Sequence, residues 1–241
     1  WHPRAEKVID DVKLYNPDEI ILLPLYPQYS AATSGSSIKE WNDICLKKNY
    51  SKKTSTICCY PTDDFFVKSH TEQILKKIDK LNNYKLIFSA HGLPEKNIKN
   101  GDPYQWQVEK SVERIIERLN IKNLDWILSY QSRVGPVKWI GPSTEDNIVE
   151  NSKIGKKIVL VPIAFVSEHS ETLVELDIEY KELADRNGCI EYIRVPALGT
   201  NKDFINSLSS LILNKEKNKL FEGLYPPKIQ CPNQFKKCPC L

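Results

Sequence analysis

The sequence contains no methionine and begins with Trp1. Because a translated gene begins with Met, we expect the chain to be a fragment that lacks its natural start. No signal peptide opens it, and its longest apolar runs, IILLPL and IVLVPIAFV, are far too short to span a bilayer. The net charge is only +3, and no Lys/Arg block alternates with aromatic residues. A nucleic-acid-binding function is therefore not expected.

Four common site motifs are missing as well. The chain has no G-x-G-x-x-G, P-loop, H-E-x-x-H or G-x-S-x-G sequence, so dinucleotide-binding, nucleoside triphosphate-binding, zincin and serine-hydrolase functions lose their usual support. A disulfide framework is not expected either, because the cysteines number seven and Cys58 and Cys59 are adjacent within an apolar run. This cysteine usage is typical of a reducing, cytoplasmic location.

Short apolar runs alternate with segments of helical period along the chain. The runs are almost continuously hydrophobic, as is typical of parallel strands covered on both faces. Strands are predicted at 19–25, 55–60, 85–90, 124–130, 157–164 and 190–195. Helices are predicted near 4–15, 36–48, 64–81, 104–119, 145–152, 168–186 and 202–214. The alternation predicts βαβ units and a doubly wound α/β fold, with a polar seam at 47–55 and an irregular, proline-containing tail over 216–241.

The segments that follow the predicted strands are the candidate site, because ligands of open α/β folds bind at the carboxyl ends of the strands. These segments are YPQYSAATSGSS, HGLPEKNIKNGDPY, QSRVGPVKWIGPSTED and SEHSET. They are rich in Pro, Gly, Ser, Tyr and His, unlike the helices between them. We therefore predict that they form a binding site together.

The predicted helix over 168–186 carries a row of acidic residues. At about 100° per residue they share an arc roughly 80° wide, and they are Glu168, Glu171, Glu175, Glu179 and Glu182. The residues expected to face the core are Leu173, Leu176, Tyr180, Leu183 and Ala184. A solvent-exposed face is the ordinary interpretation of an acidic row. Here, however, Val174 and Ile178 border the row, and Asp177 and Lys181 form a separate polar arc. The alternative is a cleft lining, where crowded carboxylates attract a cation or accept protons.

His91 ends the strand KLIFSA and precedes a turn fixed by Gly and Pro. Neutral imidazole binds metals such as Fe(II) and takes up a proton near pH 7, so His91 is a candidate ligand or base. His169, beside the acidic row, either assists His91 or orients a loop. Arg133 and Trp139 lie close to the two Gly-Pro pairs of QSRVGPVKWIGP, where they either contact a flat ligand with carboxylates or are ordinary surface residues.

Four motifs together resemble those of the ferrochelatases, which insert iron into protoporphyrin in haem synthesis. As they stand here, the motifs are LYPQYS, FSAHGLP with GDPY, QSRVGPVKWIGP and VPIAFVSEHSETLVELDIEY. They occur in family order and cover the chain to about residue 200. The resemblance implies two Rossmann-like α/β domains, with parallel sheets flanked by helices, around a porphyrin cleft. Residues 1–52 would be the remainder of an incomplete first domain, 53–214 the second domain with the metal site, and 215–241 a C-terminal tail.

The resemblance also implies roles for single residues. The family's iron-site histidine falls on His91 and its partner glutamate on Glu171, so these two are expected to be the catalytic and metal-binding pair. Tyr26 corresponds to a cleft tyrosine. Contacts with the porphyrin are expected from Tyr26, Trp139 and Arg133.

A path for metal ions or protons is implied next to this pair. The family's inner acidic row continues onto Glu175 and Glu179. Glu168 replaces the acidic residue that usually precedes the second histidine, here His169. These four residues are expected to form the path.

Fe(II) is expected as a substrate, and no cofactor is expected to be required. Some ferrochelatases hold a [2Fe–2S] cluster with C-terminal cysteines and one cysteine after YPQYS, where this chain has Ala31. Cys231, Cys238 and Cys240 are then one thiolate short of a four-thiolate site. Their C-x6-C-x-C spacing also differs from the paired C-x2-C of structural zinc sites. A cluster is therefore predicted to be absent.

The resulting hypothesis is insertion of Fe(II) into protoporphyrin IX to form protohaem, a lyase reaction. An imidazole and a carboxylate near the pyrrole nitrogens would supply a base and a metal ligand, and the sequence leaves open which group does which. One alternative is a related class II chelatase that acts on another tetrapyrrole, such as a cobalt or sirohydrochlorin enzyme. The other alternative is a non-catalytic porphyrin or metal carrier. Because porphyrins are poorly soluble, a peripheral membrane contact is also left open.

Overall fold

The structure, a computed structural model, describes residues 2–78, 83–213, 224–225 and 230–240. Within these ranges strands and helices alternate in the predicted order. The strands are β1 (Glu19–Leu22), β2 (Lys53–Ile57), β3 (Tyr84–His91), β4 (Trp126–Gln131), β5 (Lys157–Pro162), β6 (Tyr192–Arg194) and β7 (Leu224–Tyr225). The helices are α1 (Ala5–Tyr15), α2 (Ser34–Lys47), α3 (Asp64–Ile78), α4 (Glu95–Lys99), α5 (Tyr104–Leu119), α6 (Thr144–Lys153), α7 (Ser170–Leu173), α8 (Tyr180–Arg186) and α9 (Lys202–Leu213). The six predicted strands are confirmed, whereas the short elements α4 and β7 were not predicted.

The strands form two parallel sheets, ordered β1-β2-β7 and β4-β3-β5-β6. In the first sheet Ile20 pairs with Thr54 and Thr56 pairs with Leu224. The expected domain boundary at 52/53 separates β1 from β2, although these two strands are neighbours in one sheet. The division into domains stays a prediction. The pairing also brings β7, from the expected tail, back to the first sheet.

The second sheet is buried on both faces, which explains its continuous hydrophobic runs. Leu86 and Phe88 face a core cluster that includes residues of α3 and α5. Ile87, on the opposite face, packs in a second cluster with residues of α6 and α8. The alternation along β3 therefore sends neighbouring side chains to two helical layers, as the period of a strand requires.

The carboxyl ends of β3 and β4 lie side by side. Their last residues, His91 and Gln131, are register partners. Just inside them, Ser89 Oγ donates a hydrogen bond of 2.8 Å to Gln131 Oε1. The segments that follow these strands therefore begin from one edge of the sheet, as predicted for the candidate site.

The region predicted as one helix over 168–186 is divided into three parts. Helix α7 begins at Ser170, and a π-helical turn at Glu175–Glu179 joins it to α8. A π-helical turn bonds residues five apart and so takes up about one more residue than an α-helical turn. The π-helical turn therefore rotates the residues of α7 relative to those of α8. A helical wheel drawn at about 100° per residue assigns some of these side chains to the wrong face. Leu173, expected in the core, is 47% exposed, whereas Leu176 and Tyr180 are buried as expected.

Candidate active site

A cavity of about 480 Å³ opens at the carboxyl ends of β3 and β5, beside the loop that follows β1. Its size is within the usual range for small-molecule sites. The apolar lining includes Leu25, Tyr26, Leu93, Tyr104, Phe165 and Val166, and the titratable groups at the cavity are His91, His169 and Glu171. Three of the four predicted post-strand segments contribute to it, and QSRVGPVKWIGPSTED does not.

His91 and Glu171 are in direct contact. His91 Nε2 lies 3.0 Å from Glu171 Oε1. On the other side of the ring, Nδ1 lies 2.9 Å from the carbonyl oxygen of Gly92, which can only accept, so Nδ1 carries a hydrogen. The two side chains are 38% and 42% exposed, so a molecule in the cavity can reach both this nitrogen and this oxygen.

His169 positions Glu171 through the end of α7. It is the N-cap residue, and its Nδ1 accepts a hydrogen bond of 3.2 Å from the backbone N–H of Glu171. Its own N–H donates to Thr172 Oγ1 at 2.9 Å, which completes a capping box. The ring of Phe165 packs edge-on against both imidazoles, with its centroid 4.7 Å from that of His169 and 6.2 Å from that of His91. Of the two interpretations left open by the sequence, these contacts favour the orienting one.

Glu175 begins the π-helical turn and accepts four hydrogen bonds. Gln131 Nε2 (3.0 Å) and Ser132 Oγ (2.7 Å) donate to Oε2. The backbone N–H of Ser132 (2.9 Å) and the hydroxyl of Tyr180 (3.0 Å) donate to Oε1. Burial and the adjacent charge of Glu175 raise the pKa of Tyr180 well above its usual value, so the phenol stays a donor. Gln131 Nε2 also reaches the carbonyl oxygen of Glu171 at 3.4 Å, which links both glutamates to the end of β4.

Glu168 and Glu179 do not continue one row with these residues. Glu168 precedes α7 and accepts hydrogen bonds from Arg194 Nη1 (2.7 Å) and the N–H of Ala197 (2.9 Å). Burial opposes ionisation of Glu168, but these hydrogen bonds hold its pKa below the ordinary value. Arg194 also binds Asp177 at 2.5 and 2.6 Å, so Asp177 is not on the free polar face that the helical wheel predicts. Glu179 ends the π-helical turn and is exposed.

Of the three residues expected to contact the porphyrin, one lines the cavity and two lie elsewhere. Tyr26 lines the cavity and is 48% exposed. Trp139 and Arg133 are not among the described residues that line it. They pack behind Gly92, where an added Cβ would lie 3.2 Å from Trp139 Cε3 and 3.3 Å from Arg133 Cγ. Trp139 Nε1 is fixed by a hydrogen bond of 3.0 Å to the carbonyl oxygen of Val134.

Sequence reasoning missed several residues of the site. Leu93 and Phe165 line the cavity, but apolar side chains have the same sequence pattern whether they face a core or a cavity. Tyr104 donates from its hydroxyl to the carbonyl oxygen of His91 at 3.0 Å and so fixes the end of β3. The available signal for both was their place in the segment HGLPEKNIKNGDPY, where Leu93 follows His91 by two residues and Tyr104 ends GDPY.

A parallel α/β fold with a histidine at a strand end, a glutamate on a helix facing it and an apolar cavity beside them is of the class II chelatase type. Among solved structures, the fold is similar to SirB from Bacillus subtilis with Fe3+, at a TM-score of 0.62 and 15% identity over 92% of this chain and 82% of that one. It is also similar to the sirohydrochlorin chelatase SirB from Bacillus subtilis subspecies spizizenii in complex with cobalt, at a TM-score of 0.59 and 15% identity over 90% and 79% of the two chains.

The family described as Ferrochelatase matches residues 1–216. A ferrochelatase of Pelagibacter ubique is 75% identical over 241 residues, all of this chain and 70% of the relative. A ferrochelatase of Rickettsia felis is 52% identical over 99% of this chain and 69% of the relative. The chain belongs to the ferrochelatase family, lyases of haem biosynthesis that act on a porphyrin and a metal ion. The sirohydrochlorin alternative is not favoured, because that likeness is one of fold at low identity.

The structure bears on membrane crossing and on the arrangement of the cysteines. Over the described ranges, no helix has the length and apolar character needed to cross a bilayer. The cytoplasmic location and the peripheral membrane contact stay predictions. The prediction that a cluster is absent rested on three tail cysteines, and it stays a prediction. Cys58 and Cys59 pack against Cys231, Cys238 and Cys240 in one buried group.

Proposed function

We propose that the cavity binds protoporphyrin IX and that His91 and Glu171 receive Fe(II) beside its pyrrole nitrogens. The observation that carries this proposal is the 3.0 Å contact between His91 Nε2 and Glu171 Oε1 at an apolar cavity. Nitrogen and oxygen donors suit a divalent transition metal. The pair therefore supplies a metal site where a flat apolar ring can be held against it.

The cavity walls suit the macrocycle. Leu25 is 53% and Tyr26 48% exposed at one side, and Leu93 and Phe165 lie in the same lining. Burying such surface against a porphyrin ring stabilises the complex by roughly 25 cal/mol per Å² of apolar area removed from water. The polar groups at the cavity then fix which part of the ring faces His91.

The two contacts of the His91 ring give its two nitrogens different roles. Insertion releases two protons from the pyrrole nitrogens, so a base with a free lone pair must be present. Nδ1 of His91 keeps its hydrogen because it faces the carbonyl oxygen of Gly92. Nε2 and Glu171 Oε1 are therefore the atoms that face the cavity to exchange protons and bind the metal. Metal uptake at this pair should weaken as the pH falls.

The route to this pair is proposed to run along the π-helical turn. Glu179 is exposed at its end, and Glu175 lies at its start, joined to Glu171 through Gln131. Four hydrogen bonds hold the carboxylate of Glu175 in place beside Gln131 and Ser132. We leave Glu168 out of this route because Arg194 already neutralises its charge.

The test is iron insertion by the full-length protein carrying His91→Ala or Glu171→Gln. We expect the turnover number to fall by about 100-fold or more in each variant, because both remove a proton-transferring group. Glu182→Gln is the matched control: Glu182 belongs to the predicted acidic row but lies exposed on α8, and its turnover should be unchanged. Porphyrin binding, followed by absorbance, should persist in all three. Near wild-type turnover in both site variants would refute the assignment.

A further inference from the structure

The loop between β1 and α2 forms one wall of the cavity. Leu25 and Tyr26 line the cavity and are about half exposed. Further along the loop, Gln28, Tyr29 and Ser30 are buried. The loop contains neither helix nor strand before α2 begins. The position of its two exposed apolar side chains therefore depends on the contacts that the buried part makes.

Asp102 holds the buried part of this loop. Its side chain is only 1% exposed, and it lies two residues before the first residue of α5. Its Oδ2 accepts hydrogen bonds of 2.9 Å from Ser30 Oγ and from the backbone N–H of Ala31. Ser30 and Asp102 are 72 residues apart in the chain. The carboxylate therefore joins the loop after β1 to the segment after β3.

The other oxygen of Asp102 is connected to His91. Oδ1 accepts a hydrogen bond of 3.0 Å from the backbone N–H of Tyr104, and the hydroxyl of Tyr104 donates to the carbonyl oxygen of His91 at 3.0 Å. Burial, together with the charge of Asp102, raises the pKa of Tyr104 above its usual value, so this hydroxyl stays a donor. One carboxylate thus holds both the loop that carries Tyr26 and the strand end that carries His91.

Two side chains of α5 bind the same loop without this second connection. Gln107 Oε1 accepts the N–H of Tyr29 at 2.7 Å, and Ser111 Oγ accepts a hydrogen bond of 2.9 Å from Gln28 Nε2. They attach the loop to α5. Asp102 differs from both because it also holds Tyr104, the donor to His91.

We propose that Asp102 is a positioning residue that fixes the spacing between the loop carrying Tyr26 and the strand end carrying His91. This role rests on the proposed function, because it requires a porphyrin to lie between these two parts. Asp102 is buried and is not among the described residues that line the cavity, so it is not a catalytic residue. Its effect falls on how the macrocycle is held and not on metal uptake.

Asp102→Asn breaks this connection with little change in the size of the side chain. A carboxylate accepts hydrogen bonds on both oxygens, whereas an amide has one oxygen and one NH2 group. Whichever way the amide is turned, its NH2 group faces the backbone N–H of either Ala31 or Tyr104. One buried donor is then unpaired, and the two parts of the cavity are no longer joined through this side chain.

The test compares porphyrin binding and iron insertion by the full-length wild type and Asp102→Asn. Binding is followed by the absorbance of protoporphyrin IX. We expect the dissociation constant and the KM for porphyrin to rise by about tenfold, and the turnover number at saturating porphyrin to fall by less than about threefold. The KM for Fe(II) should stay within about twofold, because both His91 and Glu171 are present. A residue that only stabilised the fold would not separate the two KM values.

Two further variants make the comparison specific. Asp63→Asn is the matched control, because Asp63 Oδ1 accepts the N–H groups of Phe65 and Phe66 at the start of α3, at 3.0 and 3.1 Å. It should keep the wild-type KM for porphyrin. Ser30→Ala removes one of the two donors to Asp102 Oδ2 and should raise the KM for porphyrin by about threefold. Circular dichroism reports whether each variant is folded, and Ser30→Ala carries the test if Asp102→Asn does not fold.

Three results would overturn the role of Asp102. They are unchanged porphyrin binding in both Asp102→Asn and Ser30→Ala, an equal loss in Asp63→Asn, and a fall in turnover number without a change in porphyrin binding. In each case the wild type still binds porphyrin and inserts iron, so the proposed function stands. A wild type that binds no porphyrin would instead overturn the proposed function, and the role of Asp102 with it.

Discussion

Because His70 is buried, we expect the free energy of unfolding to depend on pH, and we expect His70→Leu to remove that dependence. The side chain lies on α3 and is fully buried, with its ring edge-on to Phe66 at a centroid distance of 4.9 Å. Within the described residues, neither ring nitrogen has a hydrogen-bond partner. Burial lowers the pKa of His70 from 6.5 to about 3.

The sign and size of the effect follow from these two values. In the unfolded chain the His70 side chain takes up a proton near pH 6.5, whereas in the folded protein it stays neutral down to about pH 3. The free energy of unfolding is therefore highest above pH 6.5 and decreases as the pH falls from 6.5 towards 3. At pH 5.0, about 1.5 pH units below the unfolded value, the loss relative to pH 7.5 is about 2 kcal/mol, taking about 1.36 kcal/mol per pH unit. His70→Leu places an apolar side chain of similar size at this position and removes the titrating group.

The assay is urea denaturation of wild type and His70→Leu at pH 7.5 and pH 5.0. At pH 7.5 we expect the variant to be more stable by about 1 kcal/mol, because two unpaired ring nitrogens are no longer buried. At pH 5.0 the difference should grow by about 2 kcal/mol. His2→Leu, at an exposed histidine, is the control and should follow the wild type at both pH values. A difference between His70→Leu and wild type that does not change with pH would refute the reasoning.

Three further substitutions test single contacts by urea denaturation at pH 7.5. Tyr180→Phe removes a donor to the charged carboxylate of Glu175, so the free energy of unfolding should fall by about 1.5 kcal/mol. Arg194→Leu leaves two carboxylates without their counter-charge, and because these are partly solvated we expect a loss of about 2 kcal/mol, less than for a fully buried pair. Gly101→Ala combines a φ of +87° with a Cβ only 2.9 Å from the backbone nitrogen of Lys236, so we expect a loss of about 2 kcal/mol as the tail is displaced.

Each of the three has a matched control. Tyr192→Phe removes a bond of 2.8 Å to a neutral carbonyl and should cost less than Tyr180→Phe. Arg186→Leu, at an exposed arginine, should stay within about 0.5 kcal/mol of wild type. Gly188→Ala shares a positive φ of +81° but meets nothing within 4 Å, so it isolates backbone strain. If a control lowers the free energy of unfolding as much as its paired variant does, the contact that the paired variant removes is not the cause of the loss.

The helical wheel shows where sequence reasoning failed. An ideal period predicts one acidic row, but the π-helical turn at Glu175–Glu179 breaks that period. The turn forms where Ser132 and Tyr180 hold Glu175, and contacts between distant residues leave no mark in a local hydrophobic pattern. The same limit applies to Asp177, whose partner Arg194 is on β6.

The cysteines show the same limit at longer range. Counting thiols by position leaves the tail one ligand short, because Ala31 stands where a cysteine was expected. Cys58 and Cys59 reach the tail only because residues 230–240 fold back beside the end of β2.

By itself the sequence determined the parallel α/β fold, the order of its elements and the position of His91 at a strand end. Continuous apolar runs can be buried only in a covered parallel sheet, and the turn after such a strand must lie at its edge. Only the tertiary structure decided that Glu171 faces His91 at 3.0 Å, that Arg194 holds Glu168, and that Cys58 joins the tail cysteines. These are contacts between side chains far apart in the chain, and their geometry depends on how the elements pack.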